Sequence, residues 1–374
     1  MGHIPIHRYK IPFSFFLLAA ILRCVEAGPA VRQDAAVPEE EVRLAKRAKG
    51  GGLSGREIRI LWYNVENLFH PSDDSIPGDD EFTPGGVRHW TWKRYRDKLT
   101  ALAKVIIAAG EGEPPELVGL GEVENDSVLA DLADHPILRP YGYSFLHRDS
   151  PDHRGMDVGL LYRKERFRVL EWKVHGPPPG GRFPDTRFRA TRDMVHICGI
   201  AERSSGNGDS LDLFLVHLIS RYSGTGATAS YRMEQARLLV RLVDSVRLHR
   251  RHPLVVMAGD YNEEADGYSM QPLRQPLSCG DSIRAILPEE SSGSYKYRGV
   301  WERIDRFMVA GETKGYHIEG RILRLPALLT SDEAYGGVKP RRTYVGYSYT
   351  GGVSDHLPVL LVIRRRPFLL RSGR

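Results

Sequence analysis

The chain has 374 residues, enough for one large or two ordinary domains, and 41% of them are hydrophobic and 27% charged, a balance typical of soluble globular proteins. The net charge of +6 and the pI of about 9.1 favour an anionic substrate such as a phosphodiester. The three cysteines, Cys24, Cys198 and Cys279, form no CxxC pair, which argues against a cysteine-based metal site.

The first 27 residues have the pattern of an export signal. Basic side chains precede the apolar run 11–22, and small Ala27 follows at a suitable cleavage position. The run is short for a membrane span, although an uncleaved anchor or a disordered tail is an alternative. We predict a signal peptide over 1–27, a charged linker over 28–55, and a secreted or periplasmic protein.

After the linker, short apolar runs alternate with two amphipathic segments. Apolar residues recur every three or four positions in 92–109 and 231–249, which predicts two helices. The segment 73–81 is acidic and rich in turn residues, so it is predicted as a loop. The predicted strands are 58–63, 117–122, 141–147, 158–162, 167–175, 195–201, 211–216, 253–258, 301–309, 316–325 and 357–363.

Polar side chains recur at the edges of these predicted strands. Asn64 and Glu66 stand two apart, so they point to one face. Any one such residue is explained by capping, but a repeated pattern suggests groups that converge in a pocket. Oxygen ligands without cysteine suit Mg²⁺ or Mn²⁺, with Ca²⁺ as a further choice. The residues at strand edges are Asn64, Glu122, His217, Asp260, Asn262, Asp305, Asp355 and His356.

At these residues the sequence resembles the endonuclease/exonuclease/phosphatase family, which includes DNase I, abasic-site nucleases, inositol-polyphosphate phosphatases and neutral sphingomyelinases. The resemblance covers about residues 58–363, and the motifs follow the family's order. It implies a DNase I-like α/β fold, a four-layer sandwich of two packed mixed β-sheets flanked by helices. We assign this domain to 56–366 and a basic tail to 367–374.

The resemblance implies a metal site and contacts to the substrate. Glu122 would be the main metal ligand, helped by Asn64, Glu66 and Asp355. Asn64 would also contact the substrate. Two basic side chains are further candidates for phosphate binding, namely Arg192 and Arg221. The stretch around Arg192 reads equally well as a solvated strand face.

The resemblance also implies catalytic roles. His356 would be the general base or would orient the attacking water, and we predict that Asp305, 51 residues earlier, hydrogen-bonds its imidazole. Asp260 would assist proton transfer and Asn262 would orient a phosphate oxygen. His217 would stabilise negative charge on the phosphate.

Together these patterns predict a divalent-metal-dependent phosphoesterase, most simply a monomeric nuclease that hydrolyses phosphodiester bonds in nucleic acid. A phosphatase for inositol phosphates and a sphingomyelinase-type phosphodiesterase are the alternatives. No hydrophobic hairpin is visible, so we expect no stable membrane insertion. A non-catalytic binding module would be favoured by loss of a catalytic residue, and none of the central ones is missing.

Overall fold

A computed structural model describes residues 57–72, 80–152, 154–176, 191–202, 208–221, 224–251, 253–286 and 293–366. The predicted signal peptide, the linker and the basic tail lie outside the described residues. The same holds for most of the predicted acidic loop and for residues 187–190 of the basic stretch before Arg192.

The described residues form three α-helices and a set of strands that we number in chain order. The helices are α1 (Trp92–Ala109), α2 (Asp126–Ala133) and α3 (Thr225–His249). The strands are β1 (Glu57–Leu68), β2 (Leu117–Val123), β3 (Tyr143–Leu146), β4 (Asp157–Arg163), β5 (Phe167–His175), β6 (Met194–Ala201), β7 (Asp209–His217), β8 (Leu254–Asp260), β9 (Arg284–Ile286), β10 (Tyr295–Tyr297), β11 (Val300–Glu302), β12 (Asp305–Gly311), β13 (Tyr316–Ile322), β14 (Leu329–Ser331), β15 (Val338–Pro340), β16 (Tyr344–Val345), β17 (Ser348–Tyr349) and β18 (Val359–Arg365).

Two six-stranded mixed sheets form the centre of the molecule. The first has the order β13-β18-β1-β2-β4-β3 and the second β5-β6-β7-β8-β12-β9. Each sheet contains one parallel pair, β1 with β2 and β7 with β8. Three two-stranded ribbons, β10-β11, β14-β15 and β16-β17, lie outside the sheets.

Alternate residues of β8 show how the layers stack. Val256 and Ala258 belong to the main core cluster, which also contains the strands of the first sheet. Val255 and Met257 belong to a second cluster, which contains Leu239 and other residues of α3. Because side chains alternate across a strand, the second sheet separates the first sheet from α3. Residues of α1 and α2 join the main cluster, and the result is the expected four-layer α/β sandwich.

Most of the predicted elements are present. Helix α1 has the predicted bounds; the Thr91 side chain caps its first turn, and it ends at Gly110. Helix α3 begins at Thr225 rather than at residue 231. The short helix α2 and the ribbons were not predicted from the sequence. None of the helices in the described residues is long and apolar enough to span a membrane.

Strand β1 runs beyond its predicted end at residue 63. Asn64 and Glu66 therefore lie within the strand rather than after it. The pairing of β1 with β2 shifts between Asn64 and Leu68, and the backbone there is irregular. This irregularity turns the last residues of β1 toward the edge of the sandwich where the candidate site lies.

Candidate active site

Strand pairing brings distant polar residues to one edge of the sandwich. His217 at the end of β7 pairs with Asp260 at the end of β8, and Asp260 pairs with Asp305 at the start of β12. In the first sheet, Asn64 pairs with Gly121, next to Glu122. The strand-edge residues of the two facing sheets therefore meet at this edge.

The predicted hydrogen bond between Asp305 and His356 is present. His356 Nδ1 donates to Asp305 Oδ2 across 2.6 Å, and both residues are buried. Trp62 Nε1 donates to the other oxygen of Asp305 at 2.9 Å, and Ser294 Oγ donates to Oδ2 at 2.7 Å. The carboxylate is thus held by three donors, which fixes the plane of the imidazole.

The other imidazole nitrogen faces the centre of the site. His356 Nε2 lies 3.9 Å from Asp260 Oδ2 and 3.8 Å from Asp355 Oδ1. Burial alone would lower the pKa of His356, but Asp305 and Asp355 hold that pKa well above its usual value. The imidazole therefore carries a proton at neutral pH, which suits a proton donor rather than the general base expected from the sequence.

Asp260 is the best-placed group for proton transfer. Burial and the neighbouring Asp305 raise the pKa of Asp260 to about 7. Its carboxylate accepts hydrogen bonds from Asn64 Nδ2 at 3.2 Å and from the Asn262 backbone at 2.8 Å. A carboxyl with this pKa exchanges its proton near physiological pH.

Glu122 is a fully charged carboxylate. Burial opposes its ionisation, but the guanidinium of Arg154 and other nearby cations lower the pKa of Glu122 to about 2. Its oxygens accept from Asn64 Nδ2 at 3.4 Å and from the Asn67 backbone at 3.0 Å. Asn64 Oδ1 accepts a hydrogen bond from the Glu66 backbone N–H. The Nδ2 donor of Asn64 therefore faces the carboxylates of Glu122 and Asp260.

The remaining predicted metal ligands, Glu66 and Asp355, are joined by Arg342. Arg342 Nε donates to Glu66 Oε1 at 2.8 Å, and Arg342 lies 3.0 Å from Asp355 Oδ2. Among the described residues, the carboxylate oxygens of Glu122, Glu66 and Asp355 do not come within 4.8 Å of one another as a set of three. The structure therefore brings the predicted ligands to one region without gathering them into a single shell.

The donor set nevertheless fits a hard divalent cation. Burial and the neighbouring carboxylate of Asp355 raise the pKa of Glu66 to about 7, although Arg342 and Lys98 oppose the shift. A closely spaced group is formed by Asp260, Asp305 and His356. In proteins, Mg²⁺ and Mn²⁺ bind preferentially to carboxylate and amide oxygens. Glu122 and Asp355 are the residues that would hold it.

His217 and Arg192 lie on the side of Glu122. His217 Nε2 is 4.0 Å from Glu122 Oε1 and 3.5 Å from Asp260 Oδ2. Burial and the charge of Arg192 hold the pKa of His217 well below its usual value, so the imidazole is neutral. Arg192 is itself buried, 3.5 Å from Asp152. Both side chains are buried, so they influence the electrostatics of the site from within the protein.

Asn262 and Arg221 lie around the site and are partly engaged. Asn262 Nδ2 donates to the Leu218 carbonyl at 3.0 Å. Arg221 NH1 donates to Glu302 at 3.1 Å, and Arg221 remains partly accessible to solvent. The positions of both residues are compatible with the predicted contacts to phosphate.

Backbone strain is concentrated at this site. The described non-glycine residues with positive φ include Glu66, Asn67, Glu122 and Asn262, with φ between 50° and 64°. Each such residue costs about 1–3 kcal/mol and persists only where surrounding contacts enforce it. Two of these residues, Glu122 and Asn262, are among the candidate site residues predicted from the sequence.

Several residues of the site were not identified from the sequence. Arg154, whose guanidinium lowers the pKa of Glu122, lies three residues before the first residue of β4. Buried Lys98 of α1 donates to the Glu66 carbonyl and, at 2.9 Å, to Thr343 Oγ1. Trp62 and Arg342 carry no local signal, because their partners Asp305 and Glu66 lie 243 and 276 residues away in the chain.

Comparison with known proteins identifies the family of the chain. A model described as Endonuclease/Exonuclease/phosphatase family matches residues 59–365, which is most of the chain. The chain belongs to this family. Its members are hydrolases that act on phosphoesters, so the general chemistry of the site is that of a phosphoesterase. A search of curated protein sequences finds no significant match.

Solved structures share the fold of this family member at low sequence identity. A mannosyl-6-phosphatase from Bacteroides thetaiotaomicron is 15% identical, with 82% of this chain and 99% of that chain covered and a TM-score of 0.52. A humanized TDP2 from D. rerio is 16% identical, with 83% and 99% covered and a TM-score of 0.50. An endonuclease/exonuclease/phosphatase family protein from Bacteroides thetaiotaomicron is 14% identical, with 83% and 98% covered and a TM-score of 0.52.

Proposed function

We propose that the protein is a divalent-metal-dependent phosphodiesterase that hydrolyses nucleic acid. The observation that carries the proposal is the buried chain of contacts from Asp305 through His356 to Asp260, beside the charged carboxylate of Glu122. It supplies a group that exchanges protons near neutral pH, a fixed cation and a metal ligand within one edge of the fold.

Asp260 and His356 have different roles in the proposed reaction. Asp260 accepts the proton of the attacking water, because its pKa of about 7 lies near the working pH. The water oxygen forms the new bond to phosphorus as the ester P–O bond breaks. The protonated imidazole of His356 stabilises negative charge on the phosphoryl oxygens and gives the leaving oxygen its proton. A divalent ion at Glu122 would polarise the phosphoryl group.

The phosphate contacts follow from the positions of the neighbouring residues. Asn262 offers the amide N–H that its bond to Leu218 leaves free, and Arg221, which is paired with Glu302, offers only the N–H groups that Glu302 leaves free. Neutral His217 offers a hydrogen bond rather than a full charge. The net charge of +6 supports a polyanionic substrate, because it raises the local concentration of nucleic acid around the protein.

A parallel activity assay tests the proposal. Purified protein is incubated with single-stranded DNA, RNA, duplex DNA, inositol phosphates, mannose 6-phosphate and sphingomyelin, in Mg²⁺, Mn²⁺ or excess EDTA. We expect oligonucleotides to be cleaved only with metal, and His356→Ala to abolish the cleavage. Turnover of a phosphomonoester or of sphingomyelin without cleavage of oligonucleotides would overturn the proposed substrate. Full activity in EDTA would overturn the metal dependence.

A further inference from the structure

A pocket of about 180 Å³ opens beside the candidate active site. It is smaller than the roughly 300–1,000 Å³ of pockets that enclose a whole drug-sized ligand, so it suits one chemical group of a larger substrate. Asn67, one of its lining residues, donates its backbone N–H to Glu122. The pocket is lined by Glu66, Asn67, Phe82, Arg88, Arg342, Thr343, Tyr344 and Gly346.

Three aromatic rings surround the guanidinium of Arg88 beside the pocket. The guanidinium of Arg88 lies 4.8 Å from the ring centre of Phe82, 5.3 Å from that of Tyr344 and 5.2 Å from that of Tyr347. Its NH1 donates to the Gly346 carbonyl at 2.7 Å, which fixes its plane. Phe82 and Tyr344 are buried, whereas Tyr347, which follows the lining residue Gly346 in the chain, is 67% exposed.

The charges at this pocket are already paired within the protein. Arg88 lies 3.0 Å from Glu81, and Arg342 is bound by Glu66 and Asp355. A second phosphate of the substrate would therefore meet guanidinium groups that are already neutralised. The exposed ring of Tyr347, against which Arg88 packs, instead offers a stacking face to a flat, uncharged ring.

We propose that this pocket and the ring of Tyr347 form a subsite for one unpaired nucleobase next to the cleaved phosphate. The inference rests on the proposed function and names the form of its substrate, which is single-stranded nucleic acid. Stacking accepts every base, because each base has a flat π face, and it needs the base to be free of its partner strand.

Binding of a fluorescein-labelled single-stranded oligonucleotide, followed by fluorescence anisotropy, tests the subsite. The full chain carries His356→Ala to prevent cleavage, and Mg²⁺ is present. Adding Tyr347→Ala should weaken binding about 5- to 150-fold, the range found when a stacking side chain is replaced by alanine. Adding Arg88→Lys, which keeps the charge and loses the planar face, should also weaken binding. Affinity retained by both variants would overturn the inference.

The matched control is Tyr268→Ala. Tyr268 is 69% exposed and begins a short helix over residues 268–274, which packs against α3. Its replacement should leave the affinity unchanged. An equal loss in the Tyr268 and Tyr347 variants would show that a general surface effect, rather than the pocket, is responsible.

Abasic oligonucleotides locate the base that stacks. A single abasic site is moved along the strand, and one position should lower affinity for the parent protein. In the Tyr347→Ala variant, an abasic site at the same position should cause no further loss of affinity, because the stacking partner of that base is already gone. Independent losses from the abasic site and from Tyr347→Ala would contradict direct stacking, as would an equal effect of Tyr347→Ala on binding of a duplex.

Cleavage of the same oligonucleotide by the wild-type chain separates the two proposals. If the strand is cleaved but the Tyr347 and Arg88 variants bind as tightly as the parent, the subsite alone is wrong. If the wild-type chain neither binds nor cleaves any oligonucleotide but hydrolyses another phosphoester, the proposed function is wrong, and the subsite falls with it.

Discussion

At the residue scale, one imidazole nitrogen of His356 is bound within the protein, and the other faces the centre of the site. Asp305 binds Nδ1, and Trp62 and Ser294 hold Asp305 in turn. A carboxylate held by three buried donors cannot rotate freely. The orientation of His356 is therefore set by groups that never meet the substrate.

We predict that Asp305 and His356 act as one unit in turnover. His356→Ala should slow hydrolysis by about 10² to 10⁴ through loss of proton transfer alone, and Asp305→Asn by a comparable factor. The double variant should be little slower than either single variant, because the two side chains serve one step. The measurement is kcat for all four proteins, with folding checked by circular dichroism. Fully additive losses would show that the two residues are not coupled.

Glu122→Gln should weaken metal binding while the fold is kept. The substitution removes the charge with little change in shape. Calorimetric titration with Mn²⁺ is expected to show a higher Kd than for wild type, with an unchanged circular dichroism spectrum. Glu234→Gln on the outer surface of α3 is the control and should bind Mn²⁺ normally. Equal affinity in the Glu122 and Glu234 variants would remove Glu122 from the metal site.

A second histidine, His147, is predicted to make stability depend on pH. Burial alone would lower the pKa of His147, but Asp157 and Asp126 on either side of the ring raise it above 6.5. Protonation therefore favours the folded state, so the stabilisation is full below pH 6.5 and is lost as pH rises through the folded pKa.

The test compares wild type with His147→Gln in urea at several pH values. The difference between their free energies of unfolding should shrink as pH rises above 6.5, because only wild type loses a protonated imidazole. The pKa of His356 is also raised, but this residue is present in both proteins, so its contribution to the pH dependence cancels in the difference. A difference that is constant across this range would show that His147 does not gain a proton on folding.

At the scale of elements, the site depends on how closely two parallel strands of the second sheet pair. Gly259 precedes Asp260 in β8, and a Cβ atom there would lie 2.2 Å from the Val216 carbonyl oxygen of β7. A backbone atom cannot move aside as a flexible side chain can. The register that places His217 beside Asp260 therefore needs glycine at this position.

Gly259→Ala should destabilise the fold by about 1–3 kcal/mol through this overlap. It should also displace Asp260 and lower turnover. Chemical unfolding measures the first effect and an activity assay the second. Gly226→Ala in α3 is the control, because a Cβ atom there meets nothing within 4 Å and alanine favours helix. A Gly259→Ala protein as stable as wild type would contradict the close pairing.

At the scale of the whole molecule, the described domain follows a segment with the pattern of an export signal. We propose that the chain is cleaved near Ala27 and exported, because basic residues precede a short apolar run there. N-terminal sequencing of protein from the native host should find a start close to residue 28. An intact Met1 on protein recovered from the cytosol would refute export.

The order of elements could be predicted from the sequence, because it depends on local patterns. Apolar residues at helical spacing place α1 at Trp92–Ala109, and short apolar runs place the main strands. The polar residues at the strand edges could also be identified from sequence position alone. Helix α2 could not, because eight residues are too few to show a helical period.

The amino-acid sequence supplies the side chains that are available for chemistry and, through the family resemblance, the pairing of Asp305 with His356, but most other contacts of the site follow from the fold. Glu66 lies 276 residues from Arg342, and Trp62 lies 243 residues from Asp305. Such contacts depend on strand order and on the packing of two sheets, which no local pattern encodes. Charge states follow the same rule: His356 is cationic and His217 neutral, because each imidazole takes its pKa from the neighbours that folding brings to it.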